Sequence, residues 1–185
     1  MSLFFTADTH LGHANIMKYC NRPFQSVKEM DDTIINNWNK VVEVHDTVYH
    51  LGDFCWGHDY KIRSYRERLN GKIHLVRGNH DKTWKWKRET RELFESIHNM
   101  NRVTLRSGML VIMCHFAMRV WDRSHFNSYH LYGHSHGILP SMGKSFDAGV
   151  DCNEFTPLHE LQIIDIMGKL PDNEAYKVIQ RERNK

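Results

Sequence analysis

The chain has 185 residues, a formal net charge of +3 with its histidines neutral, and four widely spaced cysteines that form no C-x-x-C pair. This length suits one compact domain over residues 1–185, the small charge does not by itself indicate a nucleic-acid partner, and the cysteine spacing argues against a zinc ribbon or a thioredoxin-type site. Because no stretch approaches the roughly 20 apolar residues of a membrane span and the start lacks a basic region, we expect a cytoplasmic protein without a membrane partner.

The first half of the chain predicts strands that alternate with helices. Leu3–Thr6 is a short apolar run typical of a buried strand. A capping-box pattern followed by apolar residues at helical spacing predicts a helix over 26–41. A strand at 47–51, a helix at 59–69 and a strand at 72–77 follow in the same order. This alternation predicts βαβ units and a parallel sheet.

The second half of the chain favours hairpins over crossovers. The charged segment 83–94 predicts a surface helix, and two apolar runs within 102–114 predict a hairpin around a Ser-Gly turn. Further strands are predicted at Tyr129–Tyr132 and at 146–150. A last helix is predicted over 156–167, with Thr and Pro at its start. Together the two halves indicate an α/β fold.

Each main predicted strand ends in a polar loop, and these loops contain many of the 14 histidines. Ligands of open α/β sheets bind beyond the carboxyl ends of strands, so five such loops can pool their side chains at one rim. Taken singly, Asp and Asn are ordinary turn residues, but as a set with the histidines they predict a metal site. The five blocks are Asp8-Thr9-His10, Gly52-Asp53, Gly78-Asn79-His80-Asp81, Cys114-His115 and Gly133-His134-Ser135-His136.

The donor atoms of these blocks indicate the kind of metal site. Carboxylate, amide and imidazole ligands suit Mn, Fe, Zn or Ni, and the set lacks the thiolates of a structural zinc. In extended backbone, residues two apart point to the same side, so Asp8 and His10 are predicted to bind one ion, and His134 and His136 adjoining ions. The glycine in three of the blocks is expected to leave room for an ion. Two cations about 3.5–4 Å apart need a bridging carboxylate, for which Asp53 is the candidate.

The five blocks resemble the signature of the calcineurin-like metallophosphoesterases, which is D-x-H, G-D, G-N-H-D/E, a later H and G-H-x-H, in the same order from Asp8 to His136. The segments Gly12-His13-Ala14-Asn15-Ile16 and Asn21-Arg22-Pro23-Phe24 are similar to a small-phosphoesterase branch of that family found in bacteria and phages. One departure is Cys114, where the family often has glycine. The resemblance implies a four-layer α/β/β/α sandwich, with two mixed sheets flanked by helices.

The resemblance also implies a role for each residue. It implies two divalent metal ions, with manganese favoured among Mn, Fe, Zn and Ni. His80 would be the catalytic histidine beside the scissile bond, although the residues alone leave a metal ligand or a turn histidine open. Asp81 would orient His80 through a carboxylate–imidazole hydrogen bond. The ligands of the first ion would be Asp8, His10, Asp53 and His136, and those of the second Asp53, Asn79, His115 and His134.

The activity that the resemblance implies is hydrolysis of phosphoric esters by a phosphodiesterase or phosphomonoesterase, with a hydroxide held by both metals attacking phosphorus. Two alternatives are a nuclease that acts on DNA or RNA through the same site and a non-catalytic scaffold of the same fold. Intact ligand blocks favour the enzyme over the scaffold. The expected partner is a phosphate-ester substrate, with a nucleotide as one candidate, and the sequence leaves the oligomeric state open.

Other residues have an ordinary interpretation beside a functional one. His13 and Arg22 follow the first metal block and can reach a substrate phosphate, Arg22 by its bidentate fork; alternatively, they belong to a structural loop with a solvated or salt-bridged Arg. Trp84, Trp86 and the basic residues around them can hold a nucleotide or a single strand, or form a solvated helix with anchoring tryptophans. Trp56 is a candidate for one wall of the pocket.

Overall fold

The computed structural model describes residues 1–183, which form two β-sheets flanked by helices. None of the helices within these residues has the length and apolar character needed to cross a bilayer. The strands are β1 Leu3–Thr6, β2 Thr47–His50, β3 Lys72–Val76, β4 Ser96–His98, β5 Met100–Thr104, β6 Leu110–Cys114, β7 Tyr129–Tyr132, β8 Ser145–Asp147 and β9 Leu158–His159. The α-helices are α1 Ala14–Tyr19, α2 Val27–Val41, α3 Asp59–Arg66, α4 Arg88–Arg91, α5 Glu160–Lys169 and α6 Glu174–Arg183.

Both sheets are mixed. In the five-stranded sheet, with the order β4-β3-β2-β1-β9, strands β1 to β4 run parallel and β9 pairs antiparallel with β1. In the four-stranded sheet, with the order β5-β6-β7-β8, β5 is antiparallel to β6, while β6, β7 and β8 run parallel. The predicted fold class, an α/β/β/α sandwich of two mixed sheets flanked by helices, is confirmed.

The five-stranded sheet is buried on both faces. Successive side chains of a strand point to opposite faces, so Phe4 of β1 packs in the helix-side core and Phe5 in the core between the sheets. Trp38 of α2 is fully buried on the helix side, and Val111 of β6 and Leu131 of β7 are fully buried between the sheets. Each such side chain contributes about 1.5–3 kcal/mol relative to an exposed one. This packing fixes the strands whose ends carry the polar loops.

Helix α2 follows from its local sequence. The side chain of Ser26 accepts a hydrogen bond from the backbone N–H of Glu29 at 3.1 Å, which caps the helix start. Met30, Ile34 and Trp38, spaced by four residues, are all buried. The helix predicted over 26–41 is therefore confirmed.

The surface helix predicted over 83–94 is wrong. The segment forms a single 3₁₀ turn at Thr83–Lys85 and the four-residue helix α4, separated by extended backbone at Trp86 and Lys87. Trp86 is buried and stacks on Phe94 with ring centroids 5.7 Å apart. The break lets both aromatic rings reach the core, and this tertiary packing outweighs the helical preference of the charged residues.

The last helix begins later than predicted, at Glu160 instead of 156. Leu158–His159 forms β9 first, and pairs with β1. His159, not Thr156, is the N-cap, because its ring accepts from the backbone N–H of Leu161 while the side chain of Gln162 accepts from the backbone of His159. Leu158 and His159 pair with the open edge of β1 and therefore do not form the first turn of the helix.

Candidate functional site

The predicted metal ligands lie in loops that follow strands of both sheets. The loops after β1, β2 and β3 carry Asp8, Asp53 and Asn79, and the loops after β6 and β7 carry histidines. Backbone hydrogen bonds join neighbouring loops, from Asp8 N to Gly52 O at 2.9 Å and from His10 N to Asp53 O at 2.9 Å. The loops surround one cleft of about 410 Å³, whose lining includes His10, His13, Asp53, Asn79, His80, His134 and His136.

Most of the predicted ligands have a left-handed backbone conformation. Asp8 and His10 were predicted to point to the same side because their backbone would be extended, and His134 and His136 likewise. The backbone at these four residues is left-handed, so the reason given for the prediction is wrong. The left-handed region costs a non-glycine residue of order 1–3 kcal/mol and persists only where the surroundings impose it, often at functional sites. The φ angles are 57° at Asp8, 48° at His10, 56° at Asp53, 67° at His134 and 47° at His136.

Two glycines make room for the carboxylates themselves. A Cβ added at Gly133 would lie 2.6 Å from Oδ2 of Asp8, and one added at Gly78 would overlap Oδ1 of Asp53. These glycines were expected to leave room for an ion. The structure instead shows that they allow the backbone to approach a ligand side chain, whose position they define.

The donor atoms form two clusters. The side chains of Asp8, His10 and His136 each offer a ligand atom within 4.8 Å of the others, and Asp53, His115 and His134 do the same. Oδ2 of Asp53 lies 3.5 Å from Nε2 of His10 and 3.5 Å from Nε2 of His115, so it stands between the clusters. Asn79 joins the second cluster through its Oδ1, which is 3.0 Å from Nε2 of His115.

Unpaired buried atoms in the first cluster fit a cation. Among the described residues, Oδ1 of Asp8 and Nε2 of His10 have no hydrogen-bond partner although both are buried. A buried polar atom without a partner is costly, and a divalent cation would satisfy both atoms at once. The mixed oxygen and nitrogen donors of the two clusters therefore fit divalent metal ions.

Protonation in the cleft depends on burial and on neighbouring charges. Burial raises the pKa of Asp8 to about 7, and burial lowers the pKa of His10 to about 2, which leaves its imidazole neutral and free to bind. Burial opposes charge on His115, but the carboxylates of Asp53 and Asp8 more than offset it and raise the pKa to about 9. Without a cation, protons on Asp8 and His115 thus balance the buried charge.

His80 lies in the cleft and is half-buried, whereas the proposed ligands range from the buried Asp8 and Asp53 to the exposed His134. Its side chain is 35% exposed, and its Nε2 is 3.9 Å from Oδ2 of Asp53. Its backbone N–H donates to Oδ1 of Asp53 at 2.9 Å, which ties its position to that carboxylate. The centroid of the His80 ring lies 5.3 Å from the ring centroid of His10 and 5.3 Å from that of Trp56. The His80 ring therefore forms part of the cleft wall.

Asp81 does not orient His80, so this prediction is wrong. Its Oδ2 accepts from the backbone N–H groups of Asp53 and Gly78, at 2.7 and 2.9 Å, and its Oδ1 accepts from that of Phe54 at 3.0 Å. No hydrogen bond joins it to the ring of His80 in residues 1–183. Buried backbone N–H groups require acceptors, so this carboxylate fixes the loop of Asp53 instead.

Arg22 is structural, and its predicted contact with a substrate phosphate is wrong. It is buried, and its Nε and Nη2 donate to the two carboxylate oxygens of Asp151 at 2.7 and 2.8 Å. Its remaining donors reach the carbonyl oxygens of Thr9 and Asp8. The salt-bridged interpretation of this arginine is the correct one, and its fork is fully used within the protein.

Asp151 was missed by the sequence analysis. Its Oδ2 accepts from Nδ1 of His136 at 2.7 Å, which leaves Nε2 of that ring for a metal. Cys20 also lies close to this pair, but burial raises the pKa of its thiol to about 11, so it remains a neutral thiol. The available signal was a carboxylate soon after the strand predicted at 146–150.

Asp147 was missed as well, and it holds the loop of the last two histidines. Its Oδ2 accepts from the hydroxyl of Ser135 at 2.5 Å and from the backbone N–H of Gly137 at 3.0 Å. Its Oδ1 accepts from Gly149 N at 2.8 Å. His13 lines the cleft and stacks on Trp56 with ring centroids 4.3 Å apart, and its contact with a substrate stays a prediction.

Two known proteins are similar to part of this chain. An uncharacterised protein of Methanocaldococcus jannaschii is 52% identical over 82 residues, which cover 43% of this chain and 47% of that protein. The gene 66 protein of Mycobacterium phage L5 is 35% identical over 81 residues, which cover 42% of this chain and 39% of that protein. In these matches the chain spans less than half the length of either relative.

A solved structure and a family model extend the comparison to most of the chain. A protein of unknown function from Aquifex aeolicus superposes with a TM-score of 0.68 at 26% identity, over 89% of this chain and 98% of that one. The model of the calcineurin-like phosphoesterase superfamily domain matches residues 1–144. The resemblance stated from the five motif blocks is confirmed, and the chain belongs to the calcineurin-like phosphoesterase superfamily.

Proposed function

We propose that this protein hydrolyses phosphate esters with two divalent metal ions, manganese foremost, bound in the cleft at the strand ends. The observation that carries the proposal is the pair of donor clusters with Asp53 between them. A single phosphoesterase domain over residues 1–185 is part of the same proposal. The first ion would be held by Asp8, His10, Asp53 and His136, and the second by Asp53, Asn79, His115 and His134.

The charge of the cleft supports a phosphate-ester substrate. When bound, two divalent cations supply the Lewis acidity that polarises a phosphoryl oxygen and lowers the pKa of a water molecule. The ligands contribute the carboxylates of Asp8 and Asp53 and otherwise neutral donors. The two carboxylates among the ligands would not cancel the charge of two dications, so the bound ions would attract a phosphate group.

His80 is the proposed catalytic residue. It lies next to both clusters, yet a third of its side chain is exposed to the cleft. An imidazole in that position can donate a proton to the leaving oxygen or stabilise the negative charge that grows on it. Asp53 would position it through the hydrogen bond from the backbone N–H of His80. His13, on the same wall, would contact the substrate.

The convergence of the donor side chains also supports the enzyme over the non-catalytic scaffold. A scaffold has no need for left-handed backbone at Asp8, His10 and Asp53, or for buried unpaired donor atoms that a cation would satisfy. The nuclease alternative uses the same site and differs only in the size of the substrate. It stays open alongside the choice between a phosphodiester and a phosphomonoester.

Turnover of a chromogenic diester and a chromogenic monoester tests the proposal. We expect bis(p-nitrophenyl) phosphate or p-nitrophenyl phosphate to be hydrolysed with Mn²⁺, turnover to stop on addition of excess chelator, and Mn²⁺ to restore it. The Asp53→Asn variant, purified in parallel, controls for contaminating phosphatases. If neither ester nor a nucleic acid is hydrolysed with any of the four candidate metals, the proposal is overturned.

A further inference from the structure

A second cleft of about 310 Å³ lies next to the one that carries the metal ligands. The two clefts share the side chain of His80. The wall between them is the stacked pair of His13 and Trp56, whose ring planes are 8° apart. His13 lines the first cleft and Trp56 lines the second. A substrate whose phosphorus lies in the first cleft can therefore extend past His80 into the second.

The second cleft contains two lysines on the same side of one turn. Lys82 precedes the 3₁₀ turn at Thr83–Lys85, and the backbone N–H of Lys85 donates to the carbonyl oxygen of Lys82 at 2.8 Å. Side chains three residues apart eclipse one another in this geometry. Both lysines line the cleft and are exposed. The turn therefore places both lysine side chains along the same cleft.

Neither of these lysines has a carboxylate partner among the described residues, and the same is true of the exposed Lys40 and Lys72. In residues 1–183, neither ammonium group forms an ion pair within 4.0 Å, whereas Lys28 and Lys169 each pair with the aspartate one helical turn away. Asp59 also lines the cleft, but its Oδ1 accepts from the backbone N–H of Lys87 at 2.7 Å. The side chains that line this cleft thus include two positive ammonium groups and one carboxylate, and that carboxylate already accepts a backbone hydrogen bond.

One face of Trp56 is available to a ligand. Its ring stacks on His13 on the side of the first cleft, and 47% of its surface is exposed. An exposed indole face stacks on any nucleobase, whichever base it is. An aromatic face, two free ammonium groups and a volume at the lower end of the usual range of about 300–1,000 Å³ suit one nucleotide.

We propose that the second cleft binds the leaving group of a phosphodiester substrate, and that this leaving group is a nucleotide with a further phosphate. Trp56 stacks on its base, and Lys82 and Lys85 bind its phosphate. This inference rests on the proposed phosphoesterase function and names the substrate class. Because His80 is common to both clefts, the leaving oxygen lies beside the residue proposed to protonate it.

Dinucleotides that differ by one phosphate test the inference. We compare kcat/KM for dithymidine monophosphate with the values for the same dinucleotide carrying one more phosphate at its 5′ or its 3′ end. We expect one of the two phosphorylated forms to be preferred by about tenfold, the ratio expected of one charge-assisted contact. Lys82→Gln with Lys85→Gln should bring this ratio close to one.

Lys40→Gln with Lys72→Gln is the matched control. Both lysines are exposed and line neither cleft, and the two substitutions remove the same positive charge as Lys82→Gln with Lys85→Gln. This variant should keep the tenfold preference. A wild-type ratio near one, or an equal loss in the control, overturns the inference even if bis(p-nitrophenyl) phosphate is hydrolysed. Failure of the wild type to hydrolyse any ester refutes the proposed function instead.

A binding measurement in chelator makes the inference testable without turnover. Thymidine 3′,5′-bisphosphate, titrated by calorimetry, should bind metal-free protein, and Trp56→Leu should weaken this binding about tenfold through the lost stacking. Trp56→Phe keeps an aromatic face and should retain most of the affinity. Equal affinity in the wild type and in Trp56→Leu would rule out the stacked base.

Discussion

The two sheets contribute different chemistry to the same cleft. The ends of β1, β2 and β3 supply every oxygen donor, Asp8, Asp53 and Asn79, whereas the ends of β6 and β7 supply only imidazoles. Asp8 and Asp53 are buried, and backbone N–H groups hold one oxygen of each. Each donor cluster draws on both sheets. The five-stranded sheet therefore supplies the negative charge of the site, and a cation bound in either cluster would link it to the four-stranded sheet.

The largest effect is expected from the carboxylate between the clusters. Asp53→Asn removes one negative charge and one oxygen donor from both proposed metal sites. We expect the bound metal to be lost and kcat/KM to fall by more than about 100-fold, beyond what loss of an outer partner typically costs. Metal content by elemental analysis and turnover of the chromogenic diester measure the two losses.

Asp165→Asn is the matched control for that variant, because Asp165 is exposed on α5 and, within residues 1–183, its side chain pairs with Lys169 alone. It should keep both metal and activity. An Asp53→Asn protein that binds two equivalents of metal would contradict the assignment of the bridge, and with it the contrast between the two sheets.

His80→Ala should separate metal binding from chemistry. His80 follows β3 but lies outside both donor clusters, so we expect metal content to stay the same. The rate should fall by about 10²- to 10⁴-fold, which is typical of the loss of a general acid. Diesters with a more acidic leaving group should lose less, because they need less protonation. Loss of metal equal to that of Asp53→Asn would refute this division of roles.

A smaller effect is expected at the imidazole end of the cleft. Asp151→Asn keeps the size of the side chain but weakens its hydrogen bond with Nδ1 of His136 and its ion pair with Arg22. We expect metal affinity to fall about 10- to 100-fold, as for other partners of metal-binding histidines. Titration with Mn²⁺ measures this change, with Asp165→Asn again as control. Unchanged affinity would show that His136 needs no orienting carboxylate.

The smallest effect concerns pH and stability. Asp8 and His115 have pKa values raised to about 7 and about 9, so the metal-free folded state holds more protons there than the unfolded chain does. Their protonation stabilises the metal-free protein at lower pH, and this stabilisation is lost as the pH rises through 7 and then 9. Metal binding displaces the same protons and strengthens over the same range.

The difference in Tm between Mn²⁺-loaded and chelated protein should therefore widen from pH 6 to pH 9. Saturation at about 100 times Kd stabilises by about 2.7 kcal/mol, which is roughly 5–10 °C for a chain of this size. Scanning calorimetry at several pH values measures the gap. A gap that narrows with increasing pH would contradict protonation of Asp8 and His115 in the metal-free cleft.

Local pattern was sufficient for the elements whose residues interact mainly with sequence neighbours. The four-residue spacing of Met30, Ile34 and Trp38 predicted α2, and the apolar run before Asp8 predicted β1. It was insufficient at Trp86, where burial against Phe94 breaks a helix. At Leu158–His159, pairing with β1 takes residues from the predicted start of the last helix. These outcomes depend on partners far away in the chain, which periodicity does not encode.

By itself, the sequence determined the family, the strands that lead to the site residues and the chemical types of the side chains at their ends, because strand periodicity and the motif blocks are local properties. Only the tertiary structure decided where those side chains point. Left-handed turns orient Asp8 and His10, Asp151 takes up the fork of Arg22, and backbone N–H groups occupy the carboxylate of Asp81. The physical reason is that buried polar groups must find partners, and those partners come from loops distant in sequence that meet only in the folded chain.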